Sequence, residues 1–202
     1  MDWLIFHIIF TAIFVLTFNT EEPKMRNKNS NFSFKLRDVV SDDLAMLSVI
    51  KPTDALHRDR MRDANNGYIR YMVAEQEDSI IGFGLIVFKS PETWTKMRVL
   101  PAIVDLYVKP DLRSQGIGTS MIREMENTAS KRDCNEIFIG VDPDSNQRAY
   151  SLYLRLGYEP LDKEPYLEHW SFTTSDGELH EGDNWIIYLR KELYSVREKG
   201  RL

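Results

Sequence analysis

The chain is 202 residues long, 43% hydrophobic and 28% charged, with a formal net charge of −5, which suits one globular domain with some chain to spare. That acidic balance offers no basic footprint for a nucleic acid partner. One cysteine, Cys134, excludes an internal disulfide and fits a reducing compartment, and the scattered histidines His7, His57, His169 and His180 make no metal site at ligand spacing.

From the N-terminus, Trp3 to Phe18 is almost unbroken apolar sequence, about 24 Å long as a helix against a hydrocarbon core of about 30 Å. Asp2 precedes it where a secretory signal would carry Lys or Arg. Lys24, Arg26 and Lys28 follow it and would hold the rest of the chain in the cytoplasm if the segment inserts. Two readings of residues 1–24 stay open: a membrane anchor working through residues 3–18, or an overextended start. Residues 25–33 read as a polar linker, 34–192 as the domain, and 193–202 as a charged tail.

Order begins with an alternating strand over residues 34–40. Ser41-Asp42-Asp43 then offers an N-cap and acids for a helix bearing Leu44, Leu47 and Ile50 on one face, ended by Pro52. A second helix starts near Thr53-Asp54 and stops at Asn65-Asn66-Gly67. Residues 68–74 and 80–88 read as an antiparallel hairpin, with Gly82 and Gly84 marking a bend or a close backbone approach. After a loop over 89–97 comes the apolar run Ala102-Ile103-Val104-Asp105-Leu106-Tyr107-Val108. It leads to Arg113-Ser114-Gln115-Gly116-Ile117-Gly118-Thr119 and then to a helical run from Ser120. A strand that delivers glycines to a helix N-terminus presents unpaired N–H groups, backed by the positive end of the helix dipole, to an anion. The pattern is R-x-x-G-x-G with neither the Lys-Ser/Thr of a P-loop nor the third glycine and distal acid of a dinucleotide fingerprint. A second strand over 136–141 precedes N-x-x-A-x-x-L-Y-x-R-x-G-Y, from Asn146 to Tyr158.

These two motifs, in this order and at this separation, resemble the two signatures of the GNAT acetyltransferase superfamily, and the likeness runs from Phe34 to about Pro160. It implies an α+β fold with a mixed, mostly antiparallel sheet flanked by helices. The implied activity is N-acetyl transfer from acetyl-CoA to a primary amine by direct attack in a ternary complex. On this resemblance Arg113, Ser114, Gln115, Gly116, Ile117, Gly118 and Thr119 cradle the pyrophosphate. The main chain of Leu106, Tyr107 and Val108 pairs with the pantetheine arm, and the N–H near Leu106 donates to the thioester carbonyl. Asn146 binds the cofactor arm or caps its own helix, two roles that can coexist. Tyr153 returns a proton to the departing thiolate, although its i, i+3, i+4 spacing with Tyr150 and Leu154 equally suits packing.

The general base is left open. Ala102 and Val104 stand where many relatives carry a glutamate, so Asp105 is the acid available in that strand, either as catalyst or as a structural acceptor. A water chain ending at Asp142, at Glu168 or at the main chain is the other route. Between Glu159 and Asp183 eight acids face one base, Lys163. This is either a solvated loop, an electronegative rim for a cationic acceptor such as a polyamine, or, with its aromatics, a homodimer contact. Residues 185–189 form a final strand. Two competing functions remain: a non-catalytic acyl-CoA-binding regulatory module of the same fold, and a protein N-terminal or lysine acetyltransferase.

Overall fold

The computed structural model describes residues 33–94 and 96–193. The hydrophobic segment 1–24, nearly all of the 25–33 linker and the tail beyond residue 193 lie outside the described residues, and the membrane-association reading lies with them. Among the described residues no helix is long and apolar enough to cross a membrane.

The elements in chain order are β1 (Lys35–Asp38), α1 (Leu44–Ile50), α2 (Asp54–Asn65), β2 (Ile69–Gln76), β3 (Ser79–Val87), β4 (Ala102–Val108), α3 (Ile117–Lys131), β5 (Glu136–Val141), α4 (Gln147–Arg155), β6 (Glu159–Pro160), β7 (Tyr166–Thr173) and β8 (Leu179–Glu192). They build one sheet in the order β1-β2-β3-β4-β5-β8-β6, with β7 pairing β8. All neighbours run antiparallel except β4 and β5. This is the mixed, mostly antiparallel α+β sheet that the sequence predicts.

β2 and β3 read as almost continuous apolar runs because both faces of the sheet are covered. Met72, Ala74, Ile81 and Ile86 pack on one side with Met121, Ile122 and Met125 of α3 and Tyr153 of α4. Tyr71, Val73, Phe83 and Leu85 pack on the other side with Leu47 of α1. The period of two along each strand assigns alternate residues to the two cores, and a register shift opposite Ala74 and Glu75 leaves Ile81 as an extra residue that breaks the alternation.

Two expectations need correction. The first helix opens as a short 3-10 turn over Ser41–Asp43, and the cap is not Ser41: Asp43 Oδ2 accepts from the Val40 N–H at 2.8 Å while the same carboxylate pairs with Arg37. The acidic region beyond residue 165 is also no loop. β7 and β8 form a hairpin in unbroken register from Tyr166↔Ile186 to Thr173↔Leu179, and β8 runs 14 residues where the sequence suggests a strand over 185–189. Continuing past the hairpin, the same strand pairs with β5 from Ile187↔Val141 to Glu192↔Glu136.

Candidate active site

The site is built where β4 leaves β5. The two strands pair only at Ala102↔Phe138 and Ile103↔Ile139, so from Val104 onward the β5-facing edge of β4 carries unpaired backbone. A bulge drives the divergence: between the pairs Phe83↔Tyr107 and Leu85↔Val104, Asp105 and Leu106 together oppose Gly84. Asp105 adopts φ 51°, the left-handed region that non-glycine residues occupy only at a cost. Gly82 makes room beneath, since a Cβ there would lie 2.7 Å from the Tyr107 carbonyl oxygen. The close approach expected of this glycine is therefore to β4.

A buried charge cluster supports the bulge. Lys51 Nζ donates to Asp105 Oδ2 at 2.6 Å, and Arg60 pairs with the same oxygen at 2.7 Å. Burial alone would raise the Asp105 carboxyl, but the charges of Lys51 and Arg60 bring it below its ordinary range. Burial pushes the Lys51 ammonium down to about 8 against the pull of Asp105. His57 underpins the cluster: one ring nitrogen lies 2.9 Å from the Lys51 carbonyl and the other 2.9 Å from the Tyr71 hydroxyl. The tautomer that fits donates from Nε2 to the carbonyl and accepts the phenol at Nδ1. Neither Lys51 nor Arg60 is signalled by the sequence, where Lys51 reads as an ordinary charge at a helix end and Arg60 as one in the middle of the next helix.

Tyr153, on α4, is 5% exposed, and it lines a cleft together with Val104, Asp105, Leu106, Gly140 and Tyr188. Burial pushes its phenol well above its ordinary value. Tyr153 therefore packs into the α3-side core, as the packing reading has it, and also fronts the cleft. Gly140 and Tyr188 carry no motif signal, yet they fit one another. A Cβ at Gly140 would lie 2.5 Å from Ile186 and 3.1 Å from the Tyr188 ring, so a glycine lets β8 send these side chains into the cleft.

Beyond β4 the glycine turn lies where the motif predicts. Gly116 caps α3 at φ 89°, no side chain caps the helix, and no acid occupies its first turn. The N–H groups of Ile117, Gly118 and Thr119 thus open a helix whose positive dipole end is unopposed. A Cβ at Gly116 would meet nothing within 4 Å, and one at Gly118 only Val108, at 3.8 Å. Arg113 Nε donates to the Val108 carbonyl at 3.0 Å and pins the turn to the end of β4. Arg148, missed in the sequence, donates to Ser114 Oγ at 2.7 Å and adds positive charge from α4. Asn146 caps α4 by accepting from the Ala149 N–H at 3.2 Å. The donor set fits an acyl-CoA: a phosphate-sized cradle without obstructing side chains, followed by an unpaired strand edge that leads to a buried phenol.

Comparison with known proteins agrees with this geometry. A family model described as the acetyltransferase (GNAT) family matches residues 36–158. Thialysine N-epsilon-acetyltransferase of Bos taurus is 34% identical over 103 residues, covering 51% of this chain and 56% of the relative; the Sus scrofa protein of the same name is 31% identical over 121 residues, covering 56% and 67%. The chain thus spans little more than half the length of the bovine relative. Among solved structures, an N-acetyltransferase from Staphylococcus aureus superposes with a TM-score of 0.57 at 15% identity, covering 81% of this chain and 100% of that one. A phosphinothricin acetyltransferase from Sinorhizobium meliloti, solved in complex with AcCoA, gives 0.56 at 17% identity, covering 82% and 92%. Likeness at this identity speaks for the fold, and the family match over more than half of the sequence speaks for descent: the chain belongs to the acetyltransferase (GNAT) family.

Proposed function

We propose that this protein is an acetyl-CoA-dependent N-acetyltransferase that acts on a primary amine of a small cationic acceptor. The observation that carries the reading is the order of three features along one strand: the edge of β4 parts from β5 after Ile103, Tyr153 lines the cleft beside Val104 and Leu106, and the uncapped start of α3 follows the end of β4. Acetyl-CoA supplies an activated acyl thioester and an anionic pyrophosphate. The N–H groups of residues 116–119 and Arg148 hold the anion, and the backbone of Leu106, Tyr107 and Val108 orients the arm, with the Leu106 N–H directed at the thioester oxygen. In the transfer the amine nitrogen bonds to the acetyl carbon, the C–S bond breaks, and the sulfur takes the Tyr153 proton. The amine loses one proton to solvent at the cleft mouth, and solvent returns one to the Tyr153 oxygen, so that the phenol is restored and the proton count closes.

Burial keeps the Tyr153 phenol protonated at neutral pH, which suits a donor. Asp105 is neutralised by two cations, so we assign it to positioning the bulge, not to removing the amine proton. A covalent route through Cys134 has little support: burial raises its thiol, and its sulfur faces the Arg132 carbonyl at the far end of α3. The bovine and porcine relatives are named for acetylating an amine, in keeping with an amine acceptor here.

Calorimetric titration of the full chain with acetyl-CoA tests the donor. Binding with a Kd on the order of micromolar is expected, and Gly118→Glu should weaken it at least about 100-fold by placing a carboxylate in the cradle. The room around Gly118 lets the variant fold, and an acid at a helix start favours the helix. Absence of binding by the folded wild type would overturn the reading.

A further inference from the structure

Beside the cleft, and sharing Tyr188 with it, lies a second cavity lined by Trp94, Lys96, Met97, Glu168 and Trp170. The β7–β8 hairpin places Glu168 and Trp170 two residues apart on the same strand face. Opposite Trp170 stands Gly182, where a Cβ would lie 2.8 Å from the indole. The bare backbone lets the ring lie flat across β8 and fixes that wall.

Glu168 differs from most of the buried or half-buried carboxylates near the sheet. Asp43, Glu75, Asp105, Glu124 and Glu126 each hold a Lys or Arg at 2.9 Å or closer. Among the described residues Glu168 makes no ion pair. Its Oε1 accepts from the Tyr166 hydroxyl at 3.3 Å and its Oε2 from the Tyr188 hydroxyl at 3.0 Å. Of the basic groups near it among the described residues, Lys96 is exposed, His169 is paired with Asp183 at 3.0 Å, and Arg98 lies over the Tyr166 ring at 5.0 Å and pairs with Asp162 at 2.9 Å. A partly buried carboxylate held by neutral donors, between two indoles and a phenol, has the chemistry of an ammonium site.

We propose that this cavity, given the acetyltransferase reading on which it rests, takes the second, non-reacting ammonium of a linear diamine. Glu168 binds that ammonium, and the faces of Trp94, Trp170 and Tyr188 cover the methylene chain. The reacting amine extends past Tyr188 into the cleft beside Tyr153.

Acetyl transfer by the full chain is measured with putrescine and cadaverine beside butylamine, pentylamine and lysine. Each diamine should exceed its matched monoamine at least about tenfold in kcat/KM, chiefly through KM, and Glu168→Gln should bring that ratio to about one. Equal turnover of diamine and monoamine by the wild type overturns the subsite and leaves the acetyltransferase reading standing, whatever the variant does. A preference for lysine over cadaverine also overturns it, because the added carboxylate would face Glu168. Transfer to none of these amines overturns the subsite, and the calorimetric titration then decides separately whether the donor reading survives.

Discussion

At the residue scale the proposed chemistry rests on Tyr153 and on the company kept by Asp105. Removing the Tyr153 oxygen as Tyr153→Phe leaves the packed ring in place, so the fold should hold while kcat drops about 100-fold or more, the usual worth of a positioned acid. Acetyl-CoA affinity should stay within about twofold, because the proposed phosphate cradle is built from other residues, at the start of α3. Stopped-flow or steady-state thiol release beside calorimetry reads both quantities, and an unchanged kcat would remove Tyr153 from the chemistry. Its place in the L-Y-x-R-x-G-Y run made Tyr153 legible in the sequence. For Asp105 the sequence was informative about burial and silent about charge. An acid inside an apolar strand demands a partner, but Lys51 and Arg60 lie 54 and 45 positions earlier, and only the packing of α1 on β3 and of α2 on β2 brings them to it.

At the element scale the bulge in β4 is what converts a sheet into a site. Its two glycine neighbours on β3 should respond differently to alanine. At Gly82 the new methyl meets a backbone carbonyl 2.7 Å away, which cannot rotate aside; at Gly84 it meets the flexible ends of Leu106 and Met125 at 3.1 Å. Gly82→Ala should therefore cost about 1–3 kcal/mol of folding stability and weaken acetyl-CoA binding, while Gly84→Ala costs less than about 1 kcal/mol. Urea unfolding of the two variants checks the order, and equal losses would mean that β4 yields more easily than its ladder implies. Motif spacing exposed the strand, turn and helix of this element. The hairpin β7–β8 escaped because its many acids read as solvated chain, although Tyr166, Glu168, Trp170 and Phe172 alternate with exposed residues as a half-buried strand does.

For the whole molecule, stability should depend on pH through the neutral His57 that braces the charge cluster. Burial lowers its imidazole from 6.5 to about 4. Between these values the unfolded chain binds a proton that the folded chain refuses, so the stability present above about pH 6.5 is lost as pH falls toward 4, by about 3 kcal/mol in all. Chemical denaturation at pH 7 and pH 5 measures it, and identical midpoints would show that His57 accepts its proton within the fold. The sequence by itself determined the fold class, the order of the elements around the centre, the glycine turn and the helix that carries Tyr153, because alternation, helix signals and glycine chemistry act over a few residues. Tertiary structure alone decided that β4 parts from β5 after two pairs, that Asp105 is held by two cations, and that Glu168 lines a cavity that shares Tyr188 with the cleft. Each of these depends on side chains that are distant along the chain and meet only when both faces of the sheet are packed.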